Sequence, residues 1–68
     1  MRVHKVVIKE TGKTLTLQES DYCKVHATNS RKPGVEILWY KQSGRERLLD
    51  KVEFYPWHNV LSYMVENV

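Results

Sequence analysis

The chain has 68 residues, of which 41% are hydrophobic and 28% are charged. A domain of this size buries a small share of its surface, so it commonly needs disulfides, a metal or self-association. The single cysteine excludes an internal disulfide, and we therefore expect a homo-oligomer. Eleven Lys and Arg against eight Asp and Glu give a net charge of +3, which permits contact with nucleic acid without requiring it.

The chain carries no sign of a membrane segment or of export. No apolar run approaches the roughly 18 residues of a membrane span, and the N-terminus lacks the apolar stretch of a signal peptide. A lone cysteine is typical of a reducing compartment. We therefore expect a cytoplasmic protein with no membrane partner.

The first third of the chain predicts a β-hairpin. Residues 3–10 place His4 beside Val6 on one face, with apolar residues on the other face as well, which is typical of a strand covered on one side and partly on the second. Gly12 then provides the positive φ that a short turn needs. Residues 14–18, TLTLQ, show the clearest period-two alternation in the chain.

The middle of the chain continues this strand pattern. Residues 22–28 alternate, with Cys23 and Val25 on one face and His26 on the other, although a helical turn is an alternative here. Residues 29–34, NSRKPG, form the longest predicted loop because proline cannot donate to a ladder and glycine relieves a turn.

A second, longer hairpin is predicted between Val35 and Pro56. Val35 and Ile37 alternate with polar and apolar neighbours, and Gly44 reverses the chain. On the return strand we expect Val52 and Phe54 to continue the apolar face that Val35 begins.

The C-terminal segment supports two interpretations. Its apolar residues recur at helical spacing: Trp57, Val60, Leu61, Met64, Val65 and Val68. Pro56 suits the first turn of such a helix. The alternative is a one-turn connector at 56–59 followed by a final strand, which would cover an exposed sheet edge. We favour the strand and keep the helix as the alternative.

These elements predict one domain, residues 1–68, of the mainly β class. We expect a single small antiparallel sheet or a partly closed barrel of five to six strands, with an α+β fold carrying a helix from about Pro56 as the alternative. The predicted core comprises Val6, Ile8, Leu15, Leu17, Val25, Val35, Ile37, Trp39, Val52, Phe54, Leu61 and Val65.

A candidate binding site follows from the long hairpin. Its pairing returns the second strand to the loop before the first, so one end of the domain collects Arg31, Lys32, Tyr55, Trp57 and His58. Cations beside flat rings can stack a base and hold its phosphate, or can anchor a protein partner. The competing interpretation is that the indole closes the open end of the core while the cations are solvated.

Metal binding and catalysis find no support in the sequence. Cys23 and His26 are three residues apart, so on a strand they point to opposite faces and cannot bind one ion together. The carboxylates are scattered among basic neighbours, and no glycine-rich phosphate loop is present. We expect no catalytic residue, no metal ligand, no cofactor and no enzymatic activity.

The run VEFYPWHNVLSYMVE, residues 52–66, resembles the closing stretch of SH3-like and Sm-like small barrels. Together with the glycine-turned first hairpin and the central strand bearing WY, the layout also resembles short accessory proteins of Gram-positive phages and prophages. The Asp and Asn positions of the Sm-like RNA-binding loops are not found, so that RNA site is not carried over. The phage resemblance implies a small inhibitor or adaptor of a host protein.

The sequence therefore predicts a non-enzymatic module that binds a protein partner and self-associates. One alternative is a single-stranded nucleic acid-binding protein that uses Arg31, Lys32, Tyr55 and Trp57. Another is a structural subunit of a homo-oligomer.

Overall fold

The computed structural model describes residues 1–68 and contains six strands joined by turns and one short 3₁₀ turn. The strands are β1 Arg2–Ile8, β2 Thr14–Gln18, β3 Cys23–Thr28, β4 Gly34–Ser43, β5 Glu46–Pro56 and β6 Val60–Asn67, with the 3₁₀ turn at Trp57–Asn59 between the last two. The predicted mainly β class is confirmed.

The strands form two separate antiparallel sheets, with the orders β2-β1-β6 and β3-β4-β5. The expected single sheet or partly closed barrel is therefore wrong. The physical reason is the tight turn between β2 and β3, where Ser20 and Cys23 exchange backbone hydrogen bonds of 3.0 and 3.4 Å. This local pairing separates the ladders on either side, so β2 and β3 belong to different sheets.

The C-terminal segment is a strand, and the alternative of a helix from Pro56 is wrong. The 3₁₀ turn supplies the expected one-turn connector, and β6 pairs along the whole of β1. Ile8 lies opposite Val60 while Val7 lies opposite Ser62, so Leu61 is an extra residue in a bulge. No helix of the structure is long and apolar enough to cross a membrane.

The core lies between the inner faces of the two sheets. Its buried apolar members are Val6, Ile8, Leu17, Cys23, Val25, Val35 and Ile37, with Leu15, Trp39, Tyr55, Trp57, Val60 and Tyr63 packed at its border. Three predicted core residues are instead exposed: Val52 at 46%, Leu61 at 67% and Val65 at 42%. His4 is buried at 1% exposure, although histidine is an uncommon core residue.

A bulge in β5 explains the exposure of Val52. Tyr40 pairs with Leu49, but the next pair along the ladder is Trp39 with Lys51, so Asp50 has no partner on β4. One extra residue shifts the register of everything beyond it and exchanges the two faces of the strand.

This bulge determines which face of β5 carries its apolar residues Val52 and Phe54. Val52 lies opposite Leu38 and Phe54 opposite Glu36, on the face turned away from the core. Without the bulge, Val52 would lie opposite Ile37 and would face inward. The prediction that Val52 and Phe54 continue the core face is therefore wrong, and Tyr55 packs against the core instead.

Gly34 fixes the point where the loop of residues 29–33 meets the sheet. A Cβ atom at this position would collide with the Tyr55 carbonyl oxygen and would lie 2.8 Å from a ring carbon of Phe54. Only glycine allows β4 and β5 to approach this closely. The loop is thus held against the end of β5, as the hairpin geometry predicted.

Candidate functional site

A cleft of about 710 Å³ opens between the two sheets, and we call it the basic cleft. It is lined by Arg2, His4, Glu19, Val25, His26, Ala27, Thr28, Ser30, Arg31, Lys32, Glu36, Phe54 and Tyr63. Four of these, Val25–Thr28, are consecutive in β3. Since successive side chains of a strand point to opposite faces, a run of four lining residues means that the cleft follows the strand edge.

A chain of polar groups lies beside the core at the cleft. The hydroxyl of Tyr63 is 2.8 Å from Nδ1 of His4, and Nε2 of His4 is 3.1 Å from Oε2 of Glu19. The same carboxylate oxygen is 3.5 Å from Nε of Arg2. The approach of Nε2 does not meet hydrogen-bond geometry, so its contact with the carboxylate is mainly electrostatic.

These contacts keep the Glu19 carboxylate charged. The His4 ring is the main cause that lowers the pKa of Glu19, and the Arg2 charge and the Val25 backbone N–H add to it, while desolvation acts in the opposite direction. Burial raises the pKa of the Tyr63 hydroxyl, which stays a neutral hydrogen-bonding group. The network therefore holds a carboxylate beside the core with its charge balanced by neighbours.

The mouth of the basic cleft carries two cations from the loop after β3. Neither Arg31 nor Lys32 forms an ion pair with a carboxylate. Nζ of Lys32 lies 4.7 Å from the centre of the Phe54 ring, a cation–π distance. The hydroxyls of Thr28 and Ser30 lie 2.9 Å apart in the same loop. The mouth therefore offers positive charge and hydroxyl groups to an incoming ligand.

The five residues of the predicted site divide into groups. Arg31 and Lys32 line the basic cleft. Trp57 is half-buried against the core, and its indole N–H donates to the Thr28 carbonyl at 2.9 Å. The Tyr55 hydroxyl donates to Glu53 at 2.9 Å on the inner face of β5, and His58 is exposed on the 3₁₀ turn.

Trp57 is thus hydrogen-bonded to the strand that leads into the cationic loop, whereas Tyr55 and His58 are not among the residues that line the cleft. A binding role for the full set of five stays a prediction. The sequence did not identify His4, Glu19 or Tyr63 as a cluster, because their proximity depends on the pairing of β1 with β6.

A second surface is the outer face of the β3-β4-β5 sheet, which we call the outer face. Its apolar residues, assigned from the strand register, are Leu38, Tyr40, Leu49, Val52 and Phe54. Leu49 is 53% exposed and Val52 is 46% exposed. No element of the chain packs over this sheet, because the other sheet covers only the opposite side.

Cations surround this apolar centre. Arg47 lies 5.0 Å from the centre of the Tyr40 ring, and Lys32 lies over Phe54 at one end. Lys24 is opposite Leu38 on β3, and Glu36 is the carboxylate of the face, opposite Phe54. The alternation of Leu38 and Tyr40 with core residues was the one sequence signal for this surface.

The potential metal ligands are dispersed. The structure brings together no group of three or more His, Cys, Asp or Glu side chains that could hold a metal ion. Cys23 is buried as a small core residue, and desolvation raises the pKa of its thiol. His26 is exposed on the other face of the same strand.

Comparison with known proteins gives no relative from which a function can be transferred: no family model matches the chain, and no curated protein or solved structure is significantly similar to it.

Proposed function

We propose that this protein is a non-catalytic interaction module whose outer face docks a protein partner. The observation that carries this proposal is the uncovered apolar centre of the outer face, where Leu49 and Val52 are about half exposed beside Tyr40 and Phe54. Contiguous exposed apolar surface with a polar border is typical of protein-binding sites. Aromatic residues at the centre of such a surface contribute a large share of binding energy.

The charge around the apolar centre indicates the partner. Lys24, Lys32 and Arg47 outnumber the carboxylates on and around this face, which are Glu36 and Asp21, the latter 3.6 Å from Arg47. A second copy stacked on the same face would bring these cations together, and like charges across an interface are unfavourable. A different protein, with an apolar centre bordered by acidic residues, fits better. A small inhibitor or adaptor of a host protein, as the phage resemblance implies, would act through such a face.

The experiment is capture from an extract of the source cell by the tagged chain, followed by identification of the bound protein. The variants Leu49→Lys and Val52→Lys place a charge in the apolar centre and should abolish capture. Thr16→Lys is the matched control, because Thr16 is exposed on the outer side of the other sheet. The proposal fails if all variants capture the same protein equally, or if only nucleic acid is recovered.

The predicted homo-oligomer is tested separately by light scattering on the purified chain. Since face-to-face contact through the outer face is disfavoured by charge, an oligomer would use another surface. The mass of the Val52→Lys variant should therefore equal that of the wild type. A lower mass for this variant would mean that the outer face is a self-association surface.

Binding of single-stranded nucleic acid is a second candidate function, favoured by the cations Arg31 and Lys32 beside the Phe54 ring. It predicts quenching of Trp57 fluorescence by an oligonucleotide, with an affinity that falls steeply as salt is raised. Trp39→Phe removes the other tryptophan, so the signal then reports Trp57 alone. Absence of quenching at low salt rejects this candidate.

A further inference from the structure

The edge of β3 that faces the basic cleft has unpaired backbone groups. Tyr40 N–H donates to the Tyr22 carbonyl at 2.9 Å, so the ladder directs the backbone groups of Tyr22, Lys24 and His26 toward β4. In an antiparallel ladder the intervening residues direct theirs to the opposite side. The backbone groups of the intervening residues, Val25 and Ala27 among them, therefore point away from β4, along the cleft.

Part of this edge is already satisfied within the chain. Cys23 exchanges its backbone hydrogen bonds with Ser20, and the Val25 backbone N–H is among the groups that lower the pKa of the Glu19 carboxyl. Ala27, which is exposed, has no strand paired on this side. An open sheet edge of this kind is a template on which an extended peptide adds as a further strand.

The surroundings of this edge select for negative charge. Arg31 and Lys32 stand at the mouth without a carboxylate partner. Two carboxylates line the cleft: Glu19 is held by His4 and Arg2, and Glu36 has no ion-pair partner, so the cations Arg2, Arg31 and Lys32 outnumber the carboxylates by one. The edge from Val25 to Thr28 is about 10 Å long, from three steps of about 3.3 Å, so about four residues of a peptide can lie along it. A free anion would use the cations alone, while an acidic peptide would use both the cations and the backbone edge.

We infer that the basic cleft binds an extended acidic peptide segment. The segment pairs its backbone with Ala27 on the free edge of β3 and directs its carboxylates toward Arg31 and Lys32. The site shares Lys32, Glu36 and Phe54 with one end of the outer face, but its backbone contact at the edge of β3 does not involve Leu49 or Val52, so it is tested independently of the partner that the outer face binds.

The first test is a titration of ¹⁵N-labelled protein with an acetylated and amidated heptapeptide of alternating Glu and Thr. The amide of Ala27 and the indole N–H of Trp57, which is hydrogen-bonded to Thr28, should shift together. At saturation, hydrogen exchange of the Ala27 amide should slow at least tenfold because a new backbone hydrogen bond protects it. The same peptide with Lys in place of Glu should not bind.

Two charge variants test the role of the cations. Arg31→Glu combined with Lys32→Glu should weaken peptide binding at least tenfold. Lys9→Glu combined with Lys13→Glu changes the net charge equally on the β1–β2 hairpin, where both residues are exposed and neither lines the cleft, and should have little effect. Equal weakening by the two pairs would mean that only net charge matters, and it would overturn the inference.

Ala27→Pro tests the backbone edge, because proline removes the Ala27 N–H, which points into the cleft, and is tolerated on edge strands. It should abolish peptide binding and leave any weak binding of inorganic phosphate or acetate unchanged. If circular dichroism shows that this variant does not fold, the backbone pairing is tested instead by whether the peptide slows hydrogen exchange of the Ala27 amide in the wild type. Phosphate or acetate binding as tight as the peptide, with the Ala27 amide unprotected, would contradict the proposed pairing.

Discussion

The two faces of the β4–β5 hairpin are built from the same two strands but have opposite environments. On the inner face, Val35 and Ile37 are fully buried against the other sheet. On the outer face, Leu49 and Val52 are about half exposed and contact no other layer. The difference teaches that strand register, rather than hydrophobicity, decided which apolar residues of this hairpin form the core.

Asp50 is the residue that sets this difference. As the unpaired residue of the bulge, it places Val52 and Phe54 outside and Tyr55 inside. A small domain has few apolar residues to use in its core, so two large ones on an uncovered face indicate a role other than folding. The following predictions compare substitutions on the two faces and at their borders.

The largest effect is expected for Ile37→Ala. It removes a fully buried side chain and leaves a cavity, so unfolding should become easier by about 4 kcal/mol. Val52→Ala on the outer face should cost less than about 1 kcal/mol, because its side chain is half exposed. Urea denaturation of both variants measures the difference. Similar losses would show that Val52 is part of the core and would contradict the assigned register.

Gly34→Ala should have the next largest effect, a loss of about 3 kcal/mol, because the added Cβ collides with the backbone of β5. Gly12→Ala is the control: its φ of 70° is unfavourable for alanine, but nothing lies within 4 Å of the added atom. We expect this control to lose about 1 kcal/mol. Thermal denaturation compares them, and equal losses would mean that β4 and β5 do not approach closely at Gly34.

A smaller effect is expected for Trp57→Phe, which removes the hydrogen bond to the Thr28 carbonyl and should cost about 1 kcal/mol. Tyr22→Phe removes an exposed hydrogen bond to Gln42 and should change stability by less than about 0.5 kcal/mol. Urea denaturation distinguishes the two. If Trp57→Phe is as neutral as Tyr22→Phe, the indole does not fasten β3 to the 3₁₀ turn.

The smallest effect is expected for the dependence of folding stability on pH in the acid range, to which the Glu19 carboxylate contributes. The pKa of Glu19 is lowered in the folded protein, so its contribution is present above the unfolded pKa and is lost as pH falls through the folded pKa. Glu19→Gln should therefore flatten the decline of stability with acidification below about pH 4.5. Denaturation of both proteins across the acid range measures this. An unchanged slope would show that the His4 contact does not favour the charged carboxylate.

The strands with regular alternation could be predicted from sequence. The predicted segment 3–10 overlaps β1, which ends two residues earlier at Ile8, the segment 14–18 forms β2, and His4 was placed on the correct face beside Val6. Its burial was not predicted, because it depends on the Tyr63 hydroxyl and the Glu19 carboxylate, which are distant in sequence.

Two bulges account for what the sequence pattern did not predict. Leu61 separates Val60 from the rest of the β6 ladder, so Val60 and Tyr63 lie three residues apart on one face, a spacing that resembles a helix. Asp50 is likewise an extra residue in β5, the return strand of the long hairpin, and it shifts the register of the residues that follow. Leu61 is an ordinary strand residue, and Asp50, although aspartate is depleted in strands, is one of several charged residues in β5, so a period-two pattern cannot locate the extra position.

The division into two sheets was also outside the reach of the pattern. Residues 19–21 lie between the predicted strands 14–18 and 22–28, but the number of sheets depends on whether β2 and β3 share a ladder. The mouth of the basic cleft followed from hairpin geometry, which brought Arg31 and Lys32 to the end of β5. The outer face did not follow from hairpin geometry, because Val52 and Phe54 lie on that face only when the bulge at Asp50 shifts the register.

The most direct test of the outer face as a docking surface is photocross-linking in the source cell. A benzophenone side chain replaces Leu49 in one variant and Thr16 in the other, which lie on the outer sides of the two sheets. We predict a covalent adduct with one partner protein from position 49 and none from position 16. The same adducts from both positions, or adducts with nucleic acid alone, would contradict the proposed role of this face.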